Sequence, residues 1–213
     1  MNETCLNIAA QAQALALGTA TLYEASGQPC SLDPALRPVW SGAAMAGPAY
    51  PVRCSPGDNL AIHLAMERAP RGSVLVVCTD DFVAGYWGEV LTAAAEAAGL
   101  IGLVIDGGVR DVAALQRRRF PVFARGISVR GTIKASAPSV GRPILITGVP
   151  VATGDLVVAD EDGVVVLPLA DRDRVMAAGE ARAAKEADMM RRLAEGRSTV
   201  DLLGLSAWRE SAA

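Results

Sequence analysis

Between Ser73 and Ala124 the chain alternates short, wholly apolar runs with alanine-rich segments of helical spacing. No other feature restricts its fold as much. Ser73–Cys78 (SVLVVC) and Leu100–Ile105 (LIGLVI) are apolar at successive positions. A strand needs that pattern when both of its faces are covered. Gly88–Ala98 reads as a helix closed by Gly99, Asp111–Arg119 as a second helix, and Pro121–Ala124 as a third strand. Strand–helix–strand connections of this length predict parallel pairing through helical crossovers. The expected class is α/β, a single-domain layered sandwich with a parallel βαβ core and C-terminal β-hairpins.

The flanks are less regular. Residues 4–17 have helical spacing and Thr19–Ala25 suggests a second short helix. From Ser31 to Pro56, prolines 34, 38, 48, 51 and 56 predict loops and short edge strands. Asp58–Ala69 is spaced as a helix, and Thr79–Trp87 is expected to be a polar loop. Leu145–Val149, Leu156–Ala159 and Gly163–Leu167 read as strands joined by turns. Asp171–Glu195 is one long helix rich in Ala, Arg and Glu, with a thin apolar face that suits packing on a neighbouring subunit or a solvated cover.

Composition narrows the chemistry. With 213 residues, 51% of them hydrophobic, the chain can bury a full core. A net charge of -3 and 4% aromatics argue against nucleic-acid binding. No apolar run is long enough to span a bilayer, and no Lys or Arg precedes Arg37. A soluble, cytoplasmic protein with no membrane contact is therefore expected. The single histidine, His63, excludes a His-rich zinc site within one chain and is expected to be a hydrogen-bonded core residue. The four cysteines contain no C-x-x-C pair and read as buried thiols. Lys134 and Lys185 are the only lysines. Lys134 is expected to lie well away from the loops considered next, which disfavours Schiff-base chemistry.

In a parallel sheet, ligands bind beyond the carboxyl ends of the strands. Two loops leave such ends, Cys78–Glu89 and Ile105–Asp111, and both should emerge on one rim. The first opens a helix at Gly88, whose first turn (Glu89, Val90, Leu91, Thr92) offers unpaired N–H groups to a carboxylate. The second ends in Arg110–Asp111. Arg110 suits a carboxylate or a developing enolate oxygen. Asp111 is either a helix N-cap or the single carboxylate that a mostly hydrated Mg²⁺ requires. Glu89 would then steer the water ligands of that ion. Spacing alone leaves the two readings of Asp111 level. Cys30, Trp40, Arg125 and residues of the C-terminal tail are candidates for the far end of a ligand, and nothing separates them.

Several strings together resemble one family: Pro56-Gly57-Asp58-Asn59 with His63, Gly88-Glu89, Val104 to Asp111 (VIDGGVRD), Phe120 to Phe123, Gly131 to Lys134, and Gly154 to Val164. The family is the RraA-like family, and the likeness runs from about Ala14 to Glu195. It contains class II 4-hydroxy-4-methyl-2-oxoglutarate / 4-carboxy-4-hydroxy-2-oxoadipate aldolases and non-catalytic regulators of ribonuclease E. The resemblance implies one domain over 1–213 with a swivelling-domain-like core. It also implies assembly as a homotrimer or homohexamer, with a site between subunits and residues 171–196 packed on a neighbour. It implies a metal-binding aspartate after the arginine, a position where the regulators differ. Asp111 is present, so the chain resembles the aldolase branch.

That likeness implies Mg²⁺ or Mn²⁺ at Asp111 and substrate on Arg110 and on Gly88 to Thr92. It implies catalysis by Arg110, by Glu89 and by a C-terminal-helix glutamate from a neighbour, for which Glu186 is the match. The expected reaction is cleavage of a 4-hydroxy-2-oxo diacid to pyruvate, with oxaloacetate decarboxylation as a side activity. The rivals are a ribonuclease E regulator and a different metal-assisted lyase.

Overall fold

The computed structural model describes residues 8–209. Helix α1 (Ile8–Ser26) breaks at Gly18, whose φ of 77° is open to a residue without Cβ. Two helical pieces around that point were expected, 4–17 and Thr19–Ala25, of which residues 4–7 lie outside the described residues. Then come β1 (Arg37–Pro38), β2 (Met45–Arg53), α2 (Leu60–Arg68), β3 (Val74–Cys78), β4 (Gly85–Trp87), α3 (Glu89–Ala98), β5 (Gly102–Val109), α4 (Val112–Arg118) and β6 (Val122–Ile127). The last third holds β7 (Ser139–Val140), β8 (Ile144–Ile146), β9 (Val149–Val151), β10 (Leu156–Asp160), β11 (Gly163–Leu167), α5 (Arg172–Ala194) and α6 (Thr199–Leu202).

The main sheet runs β1-β6-β5-β3-β2-β10-β11. Its centre, β2, β3, β5 and β6, is parallel, as the strand–helix alternation requires. β10 and β11 form the antiparallel hairpin that closes one end. The continuous apolar runs have their predicted cause. Leu75 and Val77 face a core under α2, α3 and α4, with Ile62, Leu91, Ala95 and Leu115. Val74 and Val76 face the opposite core, which the β8–β9 hairpin covers with Ile144, Ile146 and Val149. α1 and α5 cover β10–β11 through Leu22, Val158, Leu167, Val175 and Met176. Each large apolar side chain buried this way stabilises by about 1.5–3 kcal/mol relative to exposure. No described helix is long and apolar enough to cross a membrane.

Three elements differ from the expectation. β2 is a central strand despite Pro48 and Pro51. The chain changes partner between them: residues 45–48 pair with β10, and 49–53 pair with β3. The Pro51 carbonyl accepts from Gly141 N–H. A residue's N–H and C=O point to the same side of a strand, so the donor missing from Pro51 falls away from β3. Second, Thr79–Trp87 is not wholly loop, because β4 pairs in parallel with the far end of β5. β5 accordingly continues through Asp106-Gly107-Gly108-Val109. Third, Leu145–Val149 is two strands around a Thr147–Gly148 turn with φ of 48° and 86°, the positive pair a tight hairpin favours.

Candidate functional site

The two predicted loops do meet on one rim. β4 lies against the end of β5, so the chain entering α3 runs beside Arg110 and Asp111, and Arg110 N–H donates to the Trp87 carbonyl at 2.8 Å. Glycines make this close approach feasible. A Cβ on Gly88 would clash with Asp111 Oδ2 and lie 3.1 Å from Arg110 Cγ. A Cβ on Gly85 would lie 2.7 Å from the Ser128 carbonyl and 3.2 Å from Arg110 Cδ.

Asp111 stands immediately before α4 but does not cap it with its side chain. Its backbone is left-handed (φ 60°, ψ 34°), a conformation that costs a non-glycine residue roughly 1–2 kcal/mol. The carboxylate turns instead to the neighbouring helix, where Oδ2 accepts the N–H of Glu89 at 3.0 Å. Oδ1 has no partner among the described residues. The Arg110 Nε lies 4.0 Å from Oδ2, and both side chains are about half exposed.

The first turn of α3 is therefore partly occupied. Glu89 N–H belongs to Asp111, and Thr92 N–H donates to the Gly88 carbonyl. Thr92 is fully buried, its hydroxyl held between Trp87 Nε1 and the Gly88 carbonyl, so it is removed from the substrate-binding set. Val90 and Leu91 keep free N–H groups among the described residues. The Glu89 side chain also departs from expectation. Its carboxylate pairs with Arg118 at 3.3 Å, and Arg118 also holds Glu96 at 2.8 Å. A glutamate at the start of a helix points along its outer face, and here a basic helix end stands beside it. It does not line the cavity described next, and Arg118 is thereby tied into the helix–helix contact as well.

A cavity of about 240 Å³ opens in front of these groups, lined by Gly85 to Gly88, Val90, Leu91, Arg110 and Asp111 on one side and Asn59, His63 and Lys134 on the other. The last three were not expected here. Asp58 explains their position. Its buried carboxylate accepts from the N–H groups of Leu60, Ala135 and Ser136 and from the Ser136 hydroxyl. That clamps the segment carrying Lys134 onto the start of α2. Burial works against ionisation of Asp58, but these donors outweigh it and hold the group below its ordinary value.

Asn59 is 5% exposed and donates Nδ2–H to the Tyr86 carbonyl, which fixes Oδ1 as the free atom, and Oδ1 has no partner. His63 Nε2 is also buried without a partner, so His63 is not the satisfied core histidine expected. Each unmet group of this kind costs roughly 1–3 kcal/mol. Burial, and then the Lys134 ammonium, disfavour the protonated ring of His63. Beyond their place in the strings that carry the family resemblance, the hint in the chain was the i, i+4 spacing of Asn59 and His63, which sets both on one side of the helix.

Other expectations resolve plainly. Asp106, inside the same acidic string as Asp111, is structural. It accepts the Thr79 N–H, and burial pushes its carboxyl upward in pKa despite that bond. Arg125 is paired with Asp33 and Asp81, Trp40 donates to the Phe120 carbonyl, and Cys30 is buried, so none of the three lines the cavity. Glu186 sits on α5, paired with Arg182 at 2.8 Å and outside this cavity. Among the described residues no three His, Cys, Asp or Glu side chains cluster as a metal cage. The arrangement fits the other way of holding a hard divalent ion: a single carboxylate with one free oxygen, in an open position, with water and ligand completing the shell.

A model of the RraA-like family, described as Aldolase/RraA, matches residues 19–166. A protein of Halalkalibacterium halodurans, provisionally named 4-hydroxy-4-methyl-2-oxoglutarate aldolase, is 34% identical over 147 residues, covering 68% of this chain and 70% of its own. A Burkholderia multivorans protein with the same provisional name is 36% identical over 136 residues, covering 63% and 82%. Among solved structures, an uncharacterized protein from Pseudomonas syringae pv. tomato superposes with a TM-score of 0.84 at 27% identity over 97% of both chains. Streptomyces coelicolor RraAS2, described as an unusual member of the RNase ES inhibitor RraA protein family, gives 0.70 at 26% identity over 81% of this chain and 90% of its own.

Proposed function

The chain belongs to the RraA-like family, and from that premise we propose that it is a divalent-metal-dependent aldolase releasing pyruvate from a 4-hydroxy-2-oxo diacid. The candidates are 4-hydroxy-4-methyl-2-oxoglutarate and 4-carboxy-4-hydroxy-2-oxoadipate. The observation that carries this reading is the joint presence, in one cavity, of Arg110, the half-free Asp111 carboxylate and the two open N–H groups of Val90 and Leu91.

Asp111 would hold Mg²⁺ or Mn²⁺. When bound, the cation supplies a Lewis acid for the negative charge that develops on the 2-oxo group. The N–H groups of Val90 and Leu91, at the positive end of α3, bind the carboxylate of the pyruvyl end. Gly88 lets that end approach the backbone. Arg110 faces the oxygen on which charge accumulates and offsets that charge. The C4 hydroxyl gives up its proton as the C3–C4 bond breaks. C4 becomes a carbonyl, and the bonding electrons pass to the pyruvyl fragment as its enolate. Return of a proton to C3 completes pyruvate.

Glu89 is engaged by Arg118, so we do not give its side chain the proton. Glu186 of a neighbouring copy is our candidate for that role, in a homotrimer or homohexamer with α5 at the contact. Oxaloacetate loses CO₂ through the same enolate, so we include its decarboxylation as a second activity. The test is a lactate-dehydrogenase-coupled pyruvate assay on both hydroxy diacids and oxaloacetate, with Mg²⁺ or Mn²⁺ and with EDTA. Turnover with metal and none with EDTA supports the proposal. No pyruvate from any of the three would favour the non-catalytic relatives that regulate RNA processing.

A further inference from the structure

We propose that Asn59, His63 and Lys134 form the specificity end of the cavity, taking the C4 hydroxyl and the distal carboxylate of the diacid whose pyruvyl end lies at Arg110, Val90 and Leu91. The proposal rests on the aldolase reading for the identity of that pyruvyl end. Its own support is separate. Two buried polar atoms, Asn59 Oδ1 and His63 Nε2, lack partners, and both residues line the same cavity. Asn59 Oδ1 can only accept a hydrogen bond, whereas a neutral imidazole nitrogen can accept or donate. In the resting complex a hydroxyl satisfies both atoms at once: it accepts from the ring and donates to the amide oxygen, a bond it gives up when its proton leaves in the reaction.

Lys134 adds the charge. It is exposed, lines the cavity and has no ion-pair partner among the described residues. An exposed ammonium is suited to pairing with a carboxylate. Its place is fixed from both sides: Ile133 N–H donates to the Gly57 carbonyl, and Asn59 N–H donates to the Ile133 carbonyl.

The dimensions agree. Asn59 is tied to Tyr86 and Asp111 to Glu89, three residues further along the same wall. An extended chain covers at most about 10 Å in that interval. A five- or six-carbon diacid fits within that bound. The distal carboxylate therefore meets Lys134, and the hydroxyl between the two ends meets His63 and Asn59.

The test compares 2-oxoglutarate with 2-oxopentanoate, which has the same length and a methyl in place of the distal carboxylate. Both are titrated calorimetrically into the whole protein with Mg²⁺. The wild type should bind 2-oxoglutarate about tenfold more tightly. Lys134→Met should bring the ratio to about one, and Lys134→Arg should restore most of it. Equal affinities in the wild type, or a preference that survives Lys134→Met, would overturn the subsite. Because Lys134 is exposed, the variant should fold normally. For the hydroxyl, His63→Leu should raise KM for the hydroxy diacid about fivefold or more while leaving 2-oxoglutarate affinity unchanged. An unchanged KM would overturn that half of the proposal. A wild type that makes no pyruvate but keeps the 2-oxoglutarate preference would sink the aldolase reading and leave the carboxylate subsite standing. Failure of both acids to bind would overturn both.

Discussion

Asp111 Oδ2 accepts the backbone N–H of Glu89 at 3.0 Å, so the first carboxylate of one helix closes the end of another. This bond ties the two rim loops together and leaves the other oxygen of Asp111, a residue that lines the cavity, without a partner among the described residues. It also explains why glycine stands at 88: the carboxylate passes where a Cβ would be.

Gly88→Ala should therefore disrupt the site without unfolding the chain. Gly88 has an extended backbone (φ -163°), so alanine meets no conformational penalty there. Its Cβ must push Asp111 or Arg110 aside. Activity should fall by about a hundredfold, with a change in unfolding free energy of about 1 kcal/mol or less. Steady-state kinetics and a thermal melt measure the two effects. A variant with wild-type turnover would show that the close approach is irrelevant to function.

Glu89→Gln should do little. The carboxylate is half exposed and engaged by Arg118, a surface pair worth ~1 kcal/mol or less. The backbone N–H that matters is retained. The expected loss in kcat/KM is about threefold or smaller. A loss of a hundredfold would return the side chain to the catalytic machinery.

Asp58→Asn should cost about 2 kcal/mol at pH 7, because a buried acceptor of three backbone N–H groups loses its charge and turns an amide donor toward donors. The sign with pH follows. The folded-state pKa of Asp58 lies below its ordinary 3.8. Its contribution is therefore complete well above that value and disappears as the pH falls through the lowered one. Urea midpoints measured between pH 7 and pH 3 should show the wild type and variant converging on acidification. A constant gap would contradict this account.

Much of the core was legible because a doubly covered strand has few alternatives to an unbroken apolar run, as Val74 to Cys78 shows. The rim pair Arg110–Asp111 was legible because glycine, arginine and aspartate at the end of a parallel strand have a short list of uses. β2 was hidden by Pro48 and Pro51, since whether a proline breaks a ladder depends on which neighbour its missing donor faces. Glu89 misled because Arg118 is remote in sequence, and only the packing of α3 against α4 brings them together. Lys134 was missed for a related reason: an irregular segment is placed by Asp58, and no local spacing reveals that contact.

Cys54 and Cys78 should resist alkylation in the native protein. Burial pushes each thiol up to about 12. At pH 8 only about one molecule in ten thousand carries the reactive thiolate, before access is considered. Peptide mass spectrometry after iodoacetamide treatment should find both unmodified in buffer and modified in guanidinium. Rapid native labelling of either would contradict the packing described.

The most direct test is pyruvate release from 4-hydroxy-4-methyl-2-oxoglutarate by wild-type protein and Asp111→Ala, side by side with Mg²⁺. Asp111 is half exposed and caps only one N–H, so the variant should fold, losing about 1 kcal/mol. The account predicts metal-dependent turnover in the wild type and a loss of about a thousandfold or more in the folded variant. Comparable turnover by both proteins would contradict it.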